Sequence, residues 1–359
     1  MDHGRRLASA VGLLDAEEVD ALLVTDPVNV RYLTGFTGTN GQVLVTRSGA
    51  TFLTDARYEA QAGVVVRDAT IVVYPQRLGD ALGPLLESLH VRRLGIEAEH
   101  VSIATAKRLA KSIDGIESIP TTGVIEGLRR GKESDEINLL REAVRLGDEV
   151  FMKALDHIAP GSSTERDVAL YIEIEFRRSG AESVSFPPIV ASGPLSAHVH
   201  HTASERVIEK GDLVVLDLGC RLHGYCSDLT RTVAVGPASR AQLELHEVVL
   251  RAQKRAIAQI RPGASGKAVD RTAREIIGSA RLSGDFKHGL GHGVGLDVHE
   301  APRLHRLSDD VLAGGEVVTV EPGVYETGAE GLRIEDMVVV GDGTAEVLTS
   351  APKEELIEL

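Results

Sequence analysis

The 359-residue chain contains no tryptophan and only two cysteines, Cys220 and Cys226. Two thiols are too few for the disulfide framework of a small secreted domain, so a reduced, cytoplasmic compartment is expected. Whether they form a redox pair or sit as plain strand thiols stays open at this level. Positive charge is also scarce: 39 Lys and Arg face 53 Asp and Glu, a net charge of −14 with no basic run. That balance argues against nucleic acid and anionic membrane as partners. No apolar stretch reaches the roughly 18 residues of a membrane span. The start, "MDHGRRLASAVGLLDAEEVD", turns acidic within one helix length and does not read as a signal sequence. What is left, 43% hydrophobic and 26% charged residues, is the composition of a globular protein in water. The length exceeds that of most single domains, so two domains are expected.

Residues 1 to about 125 alternate strand-like and helical patterns. "VDALLVT", "QVLVT", "ATFLTD", "TIVVY" and "RRLGIEA" read as strands, with helices near 80–90 and 103–112. This predicts an α/β domain with a mixed sheet. The pattern breaks at Pro120, Gly123 and a charged run, and a helix then starts with Ser134 as its candidate N-cap. Ile137, Leu140, Val144, Phe151 and Leu155 mark its apolar stripe. The boundary falls near residue 128, giving domains 1–127 and 128–359. Within the second, "IAPGSS" at 158–163 returns as "IRPGAS" at 260–265, each between two helical patterns. Each copy leads into strands that end in an acidic hairpin.

The first hairpin is "VVLDLGCRLHGYCSDLTRT", residues 214–232, with Asp217 and Asp228 in its flanks. Leu222, His223 and Gly224 carry the turn, and a hairpin closed midway between Leu222 and His223 sets the two aspartates directly opposite each other, where like charges destabilise a sheet. Such a pair calls for a cation between the carboxylates. A solvated edge hairpin or a register-shifting bulge are the other readings. The second hairpin, "VVTVEPGVYETGAEGLRIED", carries Glu321 and Glu335. If the two halves face each other, four carboxylates converge.

Between them lies "HGLGHGVGLDVHE", residues 288–300, whose glycines suit close backbone approach to a ligand. It is neither a dinucleotide fingerprint nor a helical zinc signature, because Pro302 and Arg303 stand where H-E-x-x-H continues. Four carboxylates with a histidine cannot be buried together uncompensated, at several kcal/mol per ion. Two divalent ions would neutralise them. Mixed carboxylate and imidazole donors suit manganese, cobalt or zinc, in the two-ion arrangement that activates water. Calcium is the competing reading, disfavoured by the histidine.

The order of "LDLG", "YCSDLTRT", "HGLGHGVGLDVHE", "VEPGVY" and "LRIED" resembles the metal-dependent Xaa-Pro peptidases, aminopeptidase P and prolidase, within the methionine aminopeptidase and creatinase superfamily, peptidase family M24. "DPVNVRYLTGFTGTNG", residues 26–41, resembles that family's N-terminal domain. The resemblance implies a creatinase/prolidase-type α/β N-terminal domain and an α+β pita-bread catalytic domain with a pseudo-twofold internal repeat. It implies Asp217, Asp228, His292, Glu321 and Glu335 as metal ligands, with Asp228 and Glu335 bridging. It also implies Glu321 as the group that moves the proton, and His200 and His299 as groups that stabilise the oxyanion and position peptide. His288, Tyr325 and Arg333 then stand close around the metals. Arg303 matches an arginine that in some prolidases clamps the free carboxylate of a dipeptide, a slight tilt toward a dipeptidase over an aminopeptidase acting on longer peptides. Small proline-containing peptides are the implied partners and a homodimer the implied assembly. Metal-free creatinase-like enzymes and binding proteins of this fold are disfavoured by the complete ligand set. An extra N-terminal domain disfavours methionine aminopeptidase.

Overall fold

The computed structural model describes residues 1–280 and 285–359. The chain divides into two units, Met1–Arg129 and Arg130–Leu359.

The first unit is built on six strands: β1 (Ala21–Val24), β2 (Gly41–Thr46), β3 (Gly49–Asp55), β4 (Thr70–Tyr74), β5 (Arg93–Glu97) and β6 (Glu117–Thr121). They lie in the order β4-β3-β2-β1-β5-β6. The β1-β2-β3 segment is antiparallel, whereas β3/β4, β1/β5 and β5/β6 pair in parallel. The sheet is mixed, as the alternating patterns predict. Helices α1 (His3–Leu13), α2 (Pro27–Thr34), α3 (Glu59–Val65), α4 (Leu78–Ser88), α5 (Ile103–Ala110) and α6 (Val124–Arg130) accompany it. Leu23, Leu44, Leu53, Leu82, Leu86 and Leu94 form its core. Where the sequence reads as a break at Pro120, the structure has β6 and α6 instead. Pro120 lacks an N–H to donate, and β6 lies at the sheet edge, where that loss is tolerated.

The second unit opens with α7 (Ser134–Leu155). Its N-cap is Glu133, not Ser134, and the Glu133 N–H donates to the Glu136 carboxylate at 2.9 Å. There follow α8 (Glu165–Arg178), β7 (Ser183–Val184), β8 (Ile189–Ser192), β9 (Leu213–Leu218), β10 (Cys220–Leu222), β11 (Tyr225–Cys226) and β12 (Leu229–Ala234). The second half repeats the order: α9 (Arg240–Ile257), α10 (Gly266–Ser279), β13 (Gly291–Gly293), β14 (Glu300–Leu304), β15 (Val317–Val320), β16 (Gly323–Tyr325), β17 (Gly331–Arg333) and β18 (Asp336–Val340). The chain ends with β19 (Ala345–Val347) and β20 (Ile357–Glu358). The "IAPGSS" and "IRPGAS" segments join α7 to α8 and α9 to α10. Each is followed by one isolated bridge, Thr164 to Val207 and Ser265 to Val311.

Each half has its own core. Val150, Phe151, Val168, Ile172 and Phe176 of α7 and α8 pack with Val214, Leu216 and Leu218 of β9, while Val249, Ala252, Val269 and Ala273 of α9 and α10 pack with Val318, Val320 and Val338. Helix pairs covering antiparallel strands in two related halves make up the pita-bread catalytic unit that the resemblance implies.

Gly219 joins β9 to β10, and a Cβ there would lie 1.9 Å from the Ser227 carbonyl oxygen. Gly219→Ala is therefore expected to destabilise the protein by about 1–3 kcal/mol, as overpacking does. Gly63→Ala, in α3 with open space around it, is expected to be neutral or stabilising by up to about 1 kcal/mol. Denaturant unfolding of the two variants gives the comparison.

Candidate metal centre

The first acidic hairpin closes differently from the sequence expectation. Leu222 pairs with Tyr225, so the turn is the two residues His223 and Gly224, with φ of 51° and 88°. Two positive φ values in succession are what a tight hairpin turn of matching twist requires, and His enters that region more readily than most residues. In this register Asp217 faces Thr230, not Asp228. Asp228 is thereby displaced by two positions along the partner strand, which keeps it on the Asp217 face but diagonal to it. The second hairpin does place its acids face to face. Val320 pairs with Asp336 and Gly323 with Arg333, so the register between them sets Glu321 opposite Glu335.

Thr230 joins the two hairpins. Its carbonyl accepts the Glu335 N–H at 3.0 Å, and its hydroxyl donates to Glu335 Oε2 at 2.7 Å. Thr230 is not among the residues that the sequence singles out, although the alternation in "DLTRT" puts it on the face of Asp228. His292, on β13, brings its Nε2 to 3.7 Å from Asp228 Oδ2 and 3.6 Å from Glu321 Oε1. One donor atom each from Asp228, His292 and Glu335 lies within 4.8 Å of the others. Asp217 sits at the rim of this group, its Oδ2 held by Arg333 Nη2 at 2.6 Å. Its Oδ1 is buried without a hydrogen-bond partner.

The glycines around His292 serve a purpose other than ligand approach. A Cβ at Gly291 would lie 2.0 Å from the Thr319 carbonyl oxygen, and one at Gly293 would lie 2.2 Å from that of Ala301. They let β13 press between its two neighbours and so fix the height of His292.

Arg333 is buried and fully engaged: besides Asp217 it reaches Thr230 Oγ1 at 3.0 Å and Tyr325 Oη at 2.8 Å. Tyr325 Oη lies 2.9 Å from His288 Nε2, and His288 Nδ1 lies 2.8 Å from the Gly289 carbonyl. With Nδ1 donating to that carbonyl, the protons run in one direction, from Arg333 to Tyr325 to His288. His200, His299 and Arg303 line the same cavity, about 1120 Å³ in volume, together with the five acidic and imidazole groups. The His299 ring is 4.4 Å from that of His292. Arg303 belongs to strand β14 and pairs directly with His292.

Burial is the largest cause of the shifts at Asp228, Glu321, Glu335, His292, His288 and Tyr325. It pushes Asp228 and Glu321 well above the usual carboxylate range, and Glu335 up to about 8, with the neighbouring carboxylates adding to the shift. It presses His292 down to about 4, with His299 contributing, and His288 down to about 3. Tyr325 rises to about 12 from the same cause. His292 is thus neutral near pH 7. Its Nδ1 lies 3.0 Å from the Gly293 carbonyl oxygen, which leaves Nε2 as the lone pair facing the carboxylates.

Residues 138–342 match the model of "Metallopeptidase family M24", and residues 6–130 that of "Creatinase/Prolidase N-terminal domain". The chain belongs to metallopeptidase family M24. A solved structure of a Xaa-Pro dipeptidase from Bacillus anthracis is 40% identical with a TM-score of 0.96, covering 99% of this chain and 100% of that one. A Xaa-Pro dipeptidase from Pyrococcus furiosus is 36% identical, covering 97% and 99% of the two chains. The structure of an X-Pro aminopeptidase from Thermotoga maritima is 34% identical with a TM-score of 0.89, covering 95% and 98%.

M24 membership implies divalent metal ions, and this peptidase has the donors for them. Its oxygen and imidazole set is the chemistry that hard-to-borderline divalent ions take. The unpartnered Asp217 Oδ1 and three carboxyls pushed toward neutrality lack the compensating positive charge that ions would bring. The two cysteines of this M24 peptidase are both buried and unbridged. Among the described residues no helix is long and apolar enough to cross a membrane.

These shifts set the pH response of the peptidase stripped of metal by a chelator. Above about pH 7.5 an unfolded histidine has lost most of its proton, as His288 and His292 already have in the folded state, and an unfolded Glu has lost its proton near about 4.3. Folded Glu335 keeps its proton up to about 8. The folded state binds more protons across that window, so stability falls as pH rises through it. The Tm of stripped protein is expected to drop between about pH 7.5 and 8.5, and added divalent ion to flatten the slope. A flat profile in the stripped protein contradicts the assignment of neutral buried carboxyls.

Proposed function

We propose that this M24 peptidase hydrolyses the bond between an N-terminal residue and a following proline, and that its preferred substrates are Xaa-Pro dipeptides. The observation that carries the length preference is Arg303. Its backbone pairs with His292 across β13 and β14, so the two side chains project on one face of the sheet. Arg303 lines the cavity together with the carboxylate cluster. A planar fork at that place suits the free carboxylate of a C-terminal proline. The Bacillus anthracis and Pyrococcus furiosus relatives named Xaa-Pro dipeptidases support the reading. The similar Thermotoga maritima structure, named an X-Pro aminopeptidase, supports action on longer peptides as the second reading.

In this reading Asp217, Asp228, His292, Glu321 and Glu335 would hold two divalent ions, with manganese the first choice and cobalt or zinc as alternatives. Bound divalent ions supply Lewis acidity, which makes water nucleophilic near neutral pH and polarises the scissile carbonyl. The chain's own residues do the rest. Glu321, whose carboxyl binds a proton more readily than an ordinary glutamate, takes the proton from the attacking water and gives it to the leaving prolyl nitrogen as the C–N bond breaks. His200 and His299, exposed at the cavity wall, hydrogen-bond the peptide and the developing oxyanion. Tyr325 and Arg333 keep Asp217 in place. The unbridged thiols and the family resemblance support a cytoplasmic homodimer, which sedimentation of the native protein would test.

Three measurements test this proposal. Chelator-stripped protein is expected to cleave a Xaa-Pro dipeptide in preference to a Xaa-Pro-Xaa tripeptide once manganese is restored, and neither before; tripeptide preference establishes the second reading. Asp228→Asn is expected to abolish turnover and cut bound metal while the fold survives. Arg303→Gln is expected to lower kcat/KM for the dipeptide by about 10- to 100-fold through KM, with the tripeptide little affected. Equal losses on both substrates remove its role in substrate length, and no loss on either returns Arg303 to solvent.

A further inference from the structure

His200 lies on a stretch with little regular structure of its own. After β8 the chain runs through a short 3-10 helix, Gly193–Ala197, and then crosses the cavity wall outside any strand, its Ser204 and Arg206 carbonyls accepting the Arg166 and Glu165 N–H groups at 3.0 and 3.1 Å before Val207 meets Thr164. One carboxylate gathers this excursion. Glu165, fully buried at the first position of α8, accepts from Ser192 at its start, His201 in its middle and Ser204 near its end. Oε1 takes the Ser192 N–H and hydroxyl, each at 2.8 Å. Oε2 takes His201 Nε2 at 2.7 Å, the Ser204 N–H at 3.0 Å and its hydroxyl at 2.6 Å. Arg206 closes the base by reaching Ser192 Oγ at 2.6 Å and Asp212 Oδ2 at 2.6 Å. Five donors on one side chain saturate it, and a first-turn position favours its negative charge.

We propose that Glu165 is a positioning residue for hydrolysis, setting His200 in the cavity through its bonds to Ser192, His201 and Ser204. The assignment rests on the reading of His200 as a substrate-side group. His201, next to His200 and itself lining the cavity, carries the constraint most directly. With Nε2 donating to Glu165, its ring orientation is fixed and its neighbour's backbone is fixed with it.

Glu165→Gln keeps the shape but presents an NH2 to donors, whichever way the amide turns. kcat/KM is expected to fall by about 10- to 100-fold, as for other residues that orient an active group from behind. The loss is expected in kcat, with KM and metal stoichiometry unchanged. A purely structural role would show as lowered Tm and metal content with kcat per folded site intact, and overturns the proposal.

A double-mutant cycle with His200→Ala separates the two readings. In that background Glu165→Gln is expected to cost no more than about twofold. If His200→Ala is damaging and the two losses multiply, the positioning proposal is wrong while the role of His200 stands. A fully active His200→Ala enzyme removes His200 from the mechanism and takes this proposal with it. Should Glu165→Gln not fold, His201→Gln and Ser204→Ala enter the same cycle under the same criteria.

Discussion

The structure of the catalytic unit turns on the repulsion among carboxylates brought from two halves of the chain into one buried place. Asp228, Glu321 and Glu335 have burial and one another's charge against them. What keeps them together is backbone. Glu335 is tied to Thr230 through both its N–H and its carboxylate, so the two acidic hairpins are cross-braced at the point where their charges meet. The rest of each half, a helix pair packed on antiparallel strands, supplies the apolar burial that offsets this local cost.

The opposite face of the same strands shows how selective the lack of compensation is. Side chains alternate along a strand, so the residues after Thr230 and Glu335, Arg231 and Asp336, point away from the cavity. They meet each other at 2.8 Å, and Asp336 is also held by Gln253 and Lys353. Arg231 further donates to the Ala351 carbonyl at 2.8 Å and the Pro352 carbonyl at 3.1 Å. One face of the seam is thus saturated by protein cations and amides. On the other, Arg333 is committed to Asp217, Tyr325 and Thr230, and the demand for positive charge stays with divalent ions.

The sequence made the chemistry legible more than the geometry. Acidic flanks, a glycine-rich histidine segment and a helical repeat name the residues that the structure gathers in one cavity. Their relative placement was harder, because register depends on the turn. Centring the turn between Leu222 and His223 put Asp217 opposite Asp228, whereas left-handed His223 and Gly224 centre it one residue later and move the partner to Thr230. No periodicity reveals that a histidine will adopt positive φ. Pro120 misled in the same way, since a breaker in a central strand is acceptable in an edge strand, and edge position is a tertiary fact. Glu165 escaped notice because its link to His201 spans two segments of unlike pattern.

Arg303 shows how substrate length and metal chemistry become one mechanical problem. Its side chain is exposed, which alone suggests a solvated arginine, but its backbone is not free. Its N–H donates to Asp310 Oδ2 at 2.8 Å, and Asp310 is bound in turn by Arg130 at 2.9 Å. A Cβ at Gly266 would lie 2.4 Å from the Arg303 carbonyl, so the start of α10 packs against it with no room for adjustment. With its root pinned on one side by α10 and on the other by pairing with His292, the guanidinium sweeps a limited arc over the cavity. In the proposed reading a substrate carboxylate gripped there would be held at a set distance from His292, and a peptide extending past proline would have to displace the same arm. The pairing that fixes His292 would therefore, in that reading, also set the length of substrate the cavity favours.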